Sequence, residues 1–256
     1  MSISDRRRSG DDDVLEARIR DAVRLCSSGG RARFVGFLDE RQAVIAKRLS
    51  EKAGFNNFLL FGGYPQAERV YFGAFPEFLE PCPGDFPISA LTVSFRVQDR
   101  LSHRDFLGAL LHAGAERAAV GDILTEEGRC VLFCRKEMAP FFSTSLSKIG
   151  GVGGKISEGA AEPLPPAHRF EPFSDVVASA RLDCLVASVA GLSREKASEL
   201  IRSGLAMRNH EVDSSPDSEI HEGDLLSIRG KGRFLIDRLG PVTKKGRLGI
   251  AGRKYI

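Results

Sequence analysis

The 256-residue chain has no tryptophan, and phenylalanine (17 residues against three tyrosines) supplies most of its aromatic content. No stretch approaches the roughly 20 apolar residues of a membrane span. The N-terminus, Met1 to Asp13, is polar and charged and lacks the apolar core of a secretory leader. A soluble, cytoplasmic protein without a membrane partner is therefore expected. The five cysteines are Cys26, Cys82, Cys130, Cys134 and Cys184, and none forms a CxxC pair. Cys130 and Cys134 stand four apart in an apolar run with no histidine beside them, which reads as buried thiols in a reducing compartment and not as a metal site.

Catalytic signatures are also missing. There is no GxSxG, HExxH or paired-carboxylate motif, and no dinucleotide fingerprint follows a strand, which argues against a nucleotide-dependent methyltransferase. The run Gly150-Gly151-Val152-Gly153-Gly154-Lys155 invites a phosphate-loop reading but fails the spacing. Ile149 stands where the first glycine belongs, and Ile156 replaces the required Ser/Thr. His103 and His112 lie on one predicted helix, nine apart and without a carboxylate in reach, and read as surface or packing residues. The expectation is a non-enzyme with no cofactor and no catalytic residue. The net charge of +3 says little by itself, because a basic surface can hide inside a near-neutral total.

What is present is an α+β chain in three parts. Residues 1–13 mix Arg6, Arg7 and Arg8 with Asp11, Asp12 and Asp13 and read as a frayed tail. Val14, Leu15, Ile19, Ala22, Val23 and Cys26 recur at helical spacing until Gly29-Gly30. Asp39, with Gln42 three residues on, caps a second helix that Gly54 ends. Phe58 to Phe61 and Arg69 to Phe75 read as strands, completing a small α+β unit over 1–83. Residues 84–158 then order a strand (Ile88 to Val97), a helix (Ser102 to His112), a strand pair (Ala119 to Leu124, Arg129 to Arg135), a helix (Glu137 to Lys148) and a strand (Val152 to Ser157). This is the β-α-β-β-α-β sequence of a ferredoxin-like, RRM-like domain. Its strand Arg129 to Cys134 does not match the aromatic signature with which an RNA-binding RRM stacks bases, so Phe95 and Phe133 read as core. Residues 159–172, with Pro163, Pro165, Pro166 and Pro172, read as a semi-rigid linker.

Residues 173–256 are the most specific part. Leu182, Leu185, Val186 and Val189 form one helical face that ends at Gly191, and Ser193 caps a second helix carrying Ala197, Leu200 and Ile201. Gly204 stands where a helix end needs a positive φ. Leu205 to Val212 reads as one strand and Leu225 to Arg229 as another. From Arg229 onward, nine basic residues face the single acid Asp237. Arginine can grip phosphate oxygens in a fork, and lysine acts as a point charge.

This pattern resembles the S4 (αL-type) RNA-binding domain. The matching residues are Arg181-Leu182-Asp183, Leu192-Ser193-Arg194, Ala197, Leu200-Ile201, Gly204, Asn209, Gly223-Asp224 and Arg229-Gly230-Lys231-Gly232-Arg233-Phe234. His210 departs from it, standing where the family usually has glycine, which implies a slightly altered turn. Asp183 reads as structural, orienting Arg181 or capping the helix. Arg181, Ser193, Arg194, Lys196, Asn209, Arg229, Lys231, Arg233, Lys244, Lys245 and Arg247 are the RNA-binding residues the resemblance implies, together with the local charge. The order of parts, with Gly36-Phe37-Leu38-Asp39 near the start and Thr243-Lys244-Lys245-Gly246-Arg247 near the end, is similar to the YlmH family of bacterial S4-domain proteins. That resemblance implies structured RNA (rRNA, with tRNA as a further candidate) and the large ribosomal subunit as partners. It also implies a role in ribosome-associated quality control and a link to cell-division proteins. An S4-targeted RNA-modifying enzyme and a division adaptor with secondary RNA binding are the rival readings.

Overall fold

The chain begins with α1 (Ile3–Gly29), β1 (Arg33–Leu38), α2 (Glu40–Lys52), β2 (Phe58–Phe61) and β3 (Val70–Ala74). The structure is a computed structural model that describes residues 3–146 and 148–256, with side chains from residue 11 onward. It divides into two units, Met1–Ala167 and His168–Ile256. Leu15, Ile19, Ala22 and Cys26 of α1 are buried against Val35, Leu38, Ile45 and Phe72, as the helical periodicity requires. Burying an aliphatic or aromatic side chain of this size stabilises by about 1.5–3 kcal/mol. Asp39 and Gln42 make the expected capping box, with Gln42 N donating to Asp39 Oδ1 at 2.8 Å and Asp39 N to Gln42 Oε1 at 3.0 Å.

Two expectations change here. The tail over residues 1–13 is helical from Ile3, and Arg41 of α2 grips the Asp12 carboxylate within it with both guanidinium ends; Met1 and Ser2 lie outside the described residues. Residues 33–38 form β1, a strand with no expected counterpart. Its last four positions are all buried, so it carries no alternation to announce it. The sheet runs in the order β1-β3-β2, with antiparallel pairs.

The first unit continues with β4 (Ile88–Ser94), α3 (His103–His112), β5 (Val120–Glu126), β6 (Arg129–Arg135), α4 (Ala139–Ser145), β7 (Lys148–Ile149), β8 (Val152–Gly153) and β9 (Lys155–Glu158). The four-stranded sheet has the order β5-β6-β4-β9. Ser102 N donates to Asp105 Oδ2 at 2.7 Å at the start of α3. The helix expected over 137–148 is shorter. Pro140 sits in its first turn, where proline is tolerated, and the chain after Ser145 enters the β7–β8 hairpin, with Ser147 outside the described residues. Gly150 and Gly151, at φ +56° and +83°, make that hairpin turn. The glycine run is thus a turn, and the strand expected over 152–157 is split into β8 and β9.

Alternation on β6 separates two cores. Cys130, Leu132 and Cys134 pack with Phe106, Leu110 and Phe142 of the helices. Val131 and Phe133 point the other way, into a cluster with Phe37, Tyr71, Phe75 and Phe86. Phe133 stacks on Tyr64 at 5.0 Å between ring centres. The four-stranded sheet is therefore covered on both faces, by helices on one side and by the aromatic side chains of the β1–β3–β2 sheet on the other. Burial pushes the Cys134 thiol up to about 12 and raises that of Cys130 as well.

Asp122 of β5, only 9 % exposed, accepts hydrogen bonds from Tyr64 Oη (2.8 Å), Glu68 N (2.8 Å) and Arg69 N (3.1 Å). Arg69 in turn donates to the carbonyls of Phe37 (2.9 Å) and Val120 (3.0 Å). These bonds join the two sheets of the first unit. Residues 159–167 belong to this unit too. Thr92 Oγ1 donates to Gly159 O at 2.8 Å, and Arg129 donates to the carbonyls of Ala161 (2.9 Å) and Pro163 (2.6 Å).

The second unit contains β10 (Phe170–Val177), α5 (Leu182–Ala190), α6 (Arg194–Arg202), β11 (Ala206–Arg208), β12 (Glu211–Val212), β13 (Leu225–Ile228), β14 (Gly232–Val242) and β15 (Leu248–Tyr255). Its sheet has the order β10-β15-β14-β13-β11-β12, all antiparallel. Residues 170–172, expected as linker, are the start of β10, because they pair with Arg253 to Tyr255. α5 and α6 pack their predicted apolar faces on Leu226, Ile228, Phe234, Ile236 and Ile250. The strand expected over 205–212 is a tight hairpin instead. Asn209 (φ +50°) and His210 (φ +70°) both occupy the left-handed region and reverse the chain between β11 and β12.

Candidate nucleic-acid interface

The site begins with the turn into α5. Arg181 is the residue before the helix, and Asp183, in its first turn, is 3 % exposed. A buried carboxylate needs partners, and two guanidinium groups supply them. Arg181 Nε lies 3.2 Å from Asp183 Oδ1, and Arg194 Nε lies 3.0 Å from Asp183 Oδ2. Burial alone would raise the Asp183 carboxyl. The hydrogen bonds from Arg181 and Arg194 outweigh it and hold the group below the usual carboxylate range. The arginine side chains remain 42 % and 54 % exposed. Asp183 therefore has the orienting part expected of it, and it holds Arg194 as well as Arg181.

Ser193 caps α6 by accepting from Lys196 N at 3.3 Å, which places Arg194 and Lys196 in the exposed first turn. A groove of about 250 Å³ runs beside them, lined by Arg194, Arg247, Asp175, Ala187 and Leu192 among others. Arg247 reaches it from the β14–β15 turn and donates to Val176 O at 2.5 Å. Lys244 and Lys245 are exposed at the tip of the same turn. Asp175 is the counter-charge. A hydrogen bond from Ser188, helped by the Val176 amide and the charge of Arg247, lowers its carboxyl.

The remaining candidates lie elsewhere. Arg229 and Lys231 are exposed in the β13–β14 turn, with Arg233 one residue into β14. That strand is eleven residues long, about 30 Å from end to end at strand rise. The expected site residues therefore divide into two basic groups, at opposite ends of β14. Arg229 N donates to Leu205 O at 3.0 Å, which brings the C-terminal end of α6 and exposed Arg202 to the second group. Asn209 belongs to neither. Its amide donates to Asp224 Oδ1 at 2.6 Å and accepts from Leu225 N at 2.9 Å, pinning the β11–β12 hairpin to β13. Lys254 and Arg253 join the second group through the β14–β15 register, a relation that residue spacing does not carry.

Residues 81–162 match the family model described as "Putative RNA-binding domain in YlmH". The "Ribosome-associated protein quality control protein P2" of Bacillus subtilis (strain 168) is 33% identical over 228 residues, 88% of each chain. Among solved structures, "Cell division protein ylmH from Streptococcus pneumoniae" aligns with a TM-score of 0.49 at 22% identity, over 62% of this chain and 92% of that one. With one-third identity sustained over nearly the whole of both sequences, the chain belongs to the YlmH family.

Proposed function

We propose that this protein binds structured RNA and associates with the ribosome, at the large subunit, through rRNA or tRNA, in the quality control of stalled translation. One observation carries the RNA reading: Asp183 holds Arg181 and Arg194 in place at the start of paired helices, while Arg247 lines the same groove as Arg194. A pre-oriented pair of guanidinium groups suits phosphate, because less freedom is lost when each contact forms. Arg194 uses Nε on Asp183, which leaves its two terminal nitrogens for a phosphate fork. The arrangement of α5, α6 and the following hairpins supports reading residues 173–256 as an S4-type module. The strand and helix order over 84–158 supports a ferredoxin-like domain. Its sheet is covered on both faces, so RNA contact by that region falls to its edges, loops and helices. The relative named for ribosome-associated quality control supports the ribosomal setting. The protein acts here by binding and placement, without catalysis.

The test is salt-dependent binding of the full chain to a structured RNA. Each lost phosphate contact reduces the slope of log K against log salt by roughly 0.7–0.9. Arg194→Glu and Arg247→Glu are each expected to weaken binding and flatten that slope. Unchanged affinity and slope in both variants would remove this groove from the interface.

A further inference from the structure

The face of the second sheet turned away from α5 and α6 carries an ordered set of aromatic and arginine side chains. Phe234 and Ile236 of β14 point into the helical core, so Arg233 and Leu235 point to the other face. Cross-strand pairing extends the pattern: Leu235 faces Arg253, Arg253 faces Pro172, and Tyr255 faces Phe170. Arg233, Tyr255 and Phe170 thus form one row across β14, β15 and β10, with Arg253 in the next.

The contacts within the row are cation–π and edge-to-face. The Arg233 guanidinium lies 4.5 Å from the Tyr255 ring centre, and that of Arg253 lies 5.0 Å from the Phe170 ring centre. Phe170 and Tyr255 meet edge to face at 4.9 Å, and His168 meets Tyr255 at 4.8 Å. Asp237 fixes the plane of Arg253 through two bonds of 2.9 and 2.8 Å. Phe170 is 38 % exposed and Arg253 is exposed. Each Arg–ring contact stabilises an exposed sheet only modestly, by about the worth of a surface pair.

The surroundings are strongly positive. Arg229, Lys231, Arg233, Arg253 and Lys254 lie in the β13–β14 turn or at the paired ends of β14 and β15, against Asp237 and Glu171. Flat π surfaces set among cations are the chemistry that holds unpaired bases and their backbone together, whatever the base.

We propose that the row Arg233–Tyr255–Phe170, with Arg253, is a stacking site for an unpaired segment of the RNA this protein binds. This rests on the RNA reading above and adds a second contact, at the opposite end of β14 from the Arg194–Arg247 groove. Phosphates would lie on Arg229 and Lys231, and one or two bases would stack against the outward-facing rings and guanidinium planes of this row.

The experiment measures full-chain binding to three fluorescent probes: a uridine-rich single-stranded octamer, an abasic octamer of equal charge, and a structured RNA. Wild type is expected to prefer the octamer with bases over the abasic one. Phe170→Leu and Tyr255→Leu are each expected to cost on the order of tenfold on that octamer, within the range of one base–aromatic stack, and little on the abasic probe. Tyr255→Phe keeps the ring and should keep the affinity, which separates lost stacking from lost folding. Equal binding of the two octamers by wild type would overturn the proposal. So would leucine variants with lowered thermal stability but unchanged octamer binding. Arg194→Glu weakens the structured probe if the groove reading is right, whatever the octamers do. The failure of one reading is therefore distinct from the failure of the other.

Discussion

Replacing Asp183 with asparagine removes one negative charge from beneath two arginines and keeps the side chain's shape. The carboxylate is 5 % exposed, and its partners Arg181 and Arg194 are 42 % and 54 % exposed. Solvent screens the pairs on the arginine side, so losing the buried Asp183 charge should cost only about 1–2 kcal/mol. Urea unfolding should show a lower midpoint with an unchanged slope. The folded carboxyl titrates below its unfolded value of about 3.9. Its contribution is therefore fully present above that value and is lost as pH falls through the folded one. The gap between wild type and Asp183→Asn should stay constant from pH 7 to about 5 and close below about pH 4. RNA binding gives the sharper contrast. On charge alone, losing a carboxylate strengthens attraction to phosphate. If Asp183 positions Arg181 and Arg194, affinity instead falls by roughly fivefold, the cost of ordering a released side chain on binding. A variant that bound structured RNA as well as wild type or better, with a stability gap indifferent to pH, would refute the positioning role.

Asp122→Ala should destabilise the first unit by about 3 kcal/mol in urea, since it strands the Tyr64 hydroxyl and two backbone amides in a buried site. A loss under about 1 kcal/mol would mean that the two sheets do not depend on this joint. His210→Gly should raise thermal stability by up to about 1 kcal/mol, because His210 sits at φ +70° and glycine adopts that conformation without the side-chain penalty. A drop in stability would mean that the imidazole's contacts outweigh the strain.

Much of the secondary structure is legible from local chemistry. The Asp39–Gln42 capping box marks α2, and the glycine at 128 marks the turn between β5 and β6. Ser193 starts α6, and Gly204, at φ +68°, follows its end. What escapes is set by tertiary context. β1 is buried without alternation, and Asp12 of α1 is held by Arg41 across 29 residues of sequence. The Asn209–His210 reversal needs a pair of positive φ angles that histidine does not advertise. The candidate site has the same division. Its arginines and lysines stand out by family position and local charge, and Asp183 stands out beside Arg181. That Arg194 shares this carboxylate and that Arg247 lines the same groove depends on helix pairing and strand order. The separation of Arg229, Lys231 and Arg233 from that groove depends on the length of β14. The outward aromatic row depends on the β10–β15 register.

Co-sedimentation of the tagged full chain with ribosomal subunits on a gradient tests RNA-mediated ribosome association most directly. Wild type should be compared with an Arg194→Glu/Arg247→Glu variant and an Arg229→Glu/Lys231→Glu variant, each shown to be folded. Migration with the large subunit, reduced in the first variant and more strongly salt-sensitive in wild type than in either variant, is the expected result. Wild type remaining at the top of the gradient with stalled complexes present, or both variants migrating as wild type does, would contradict it.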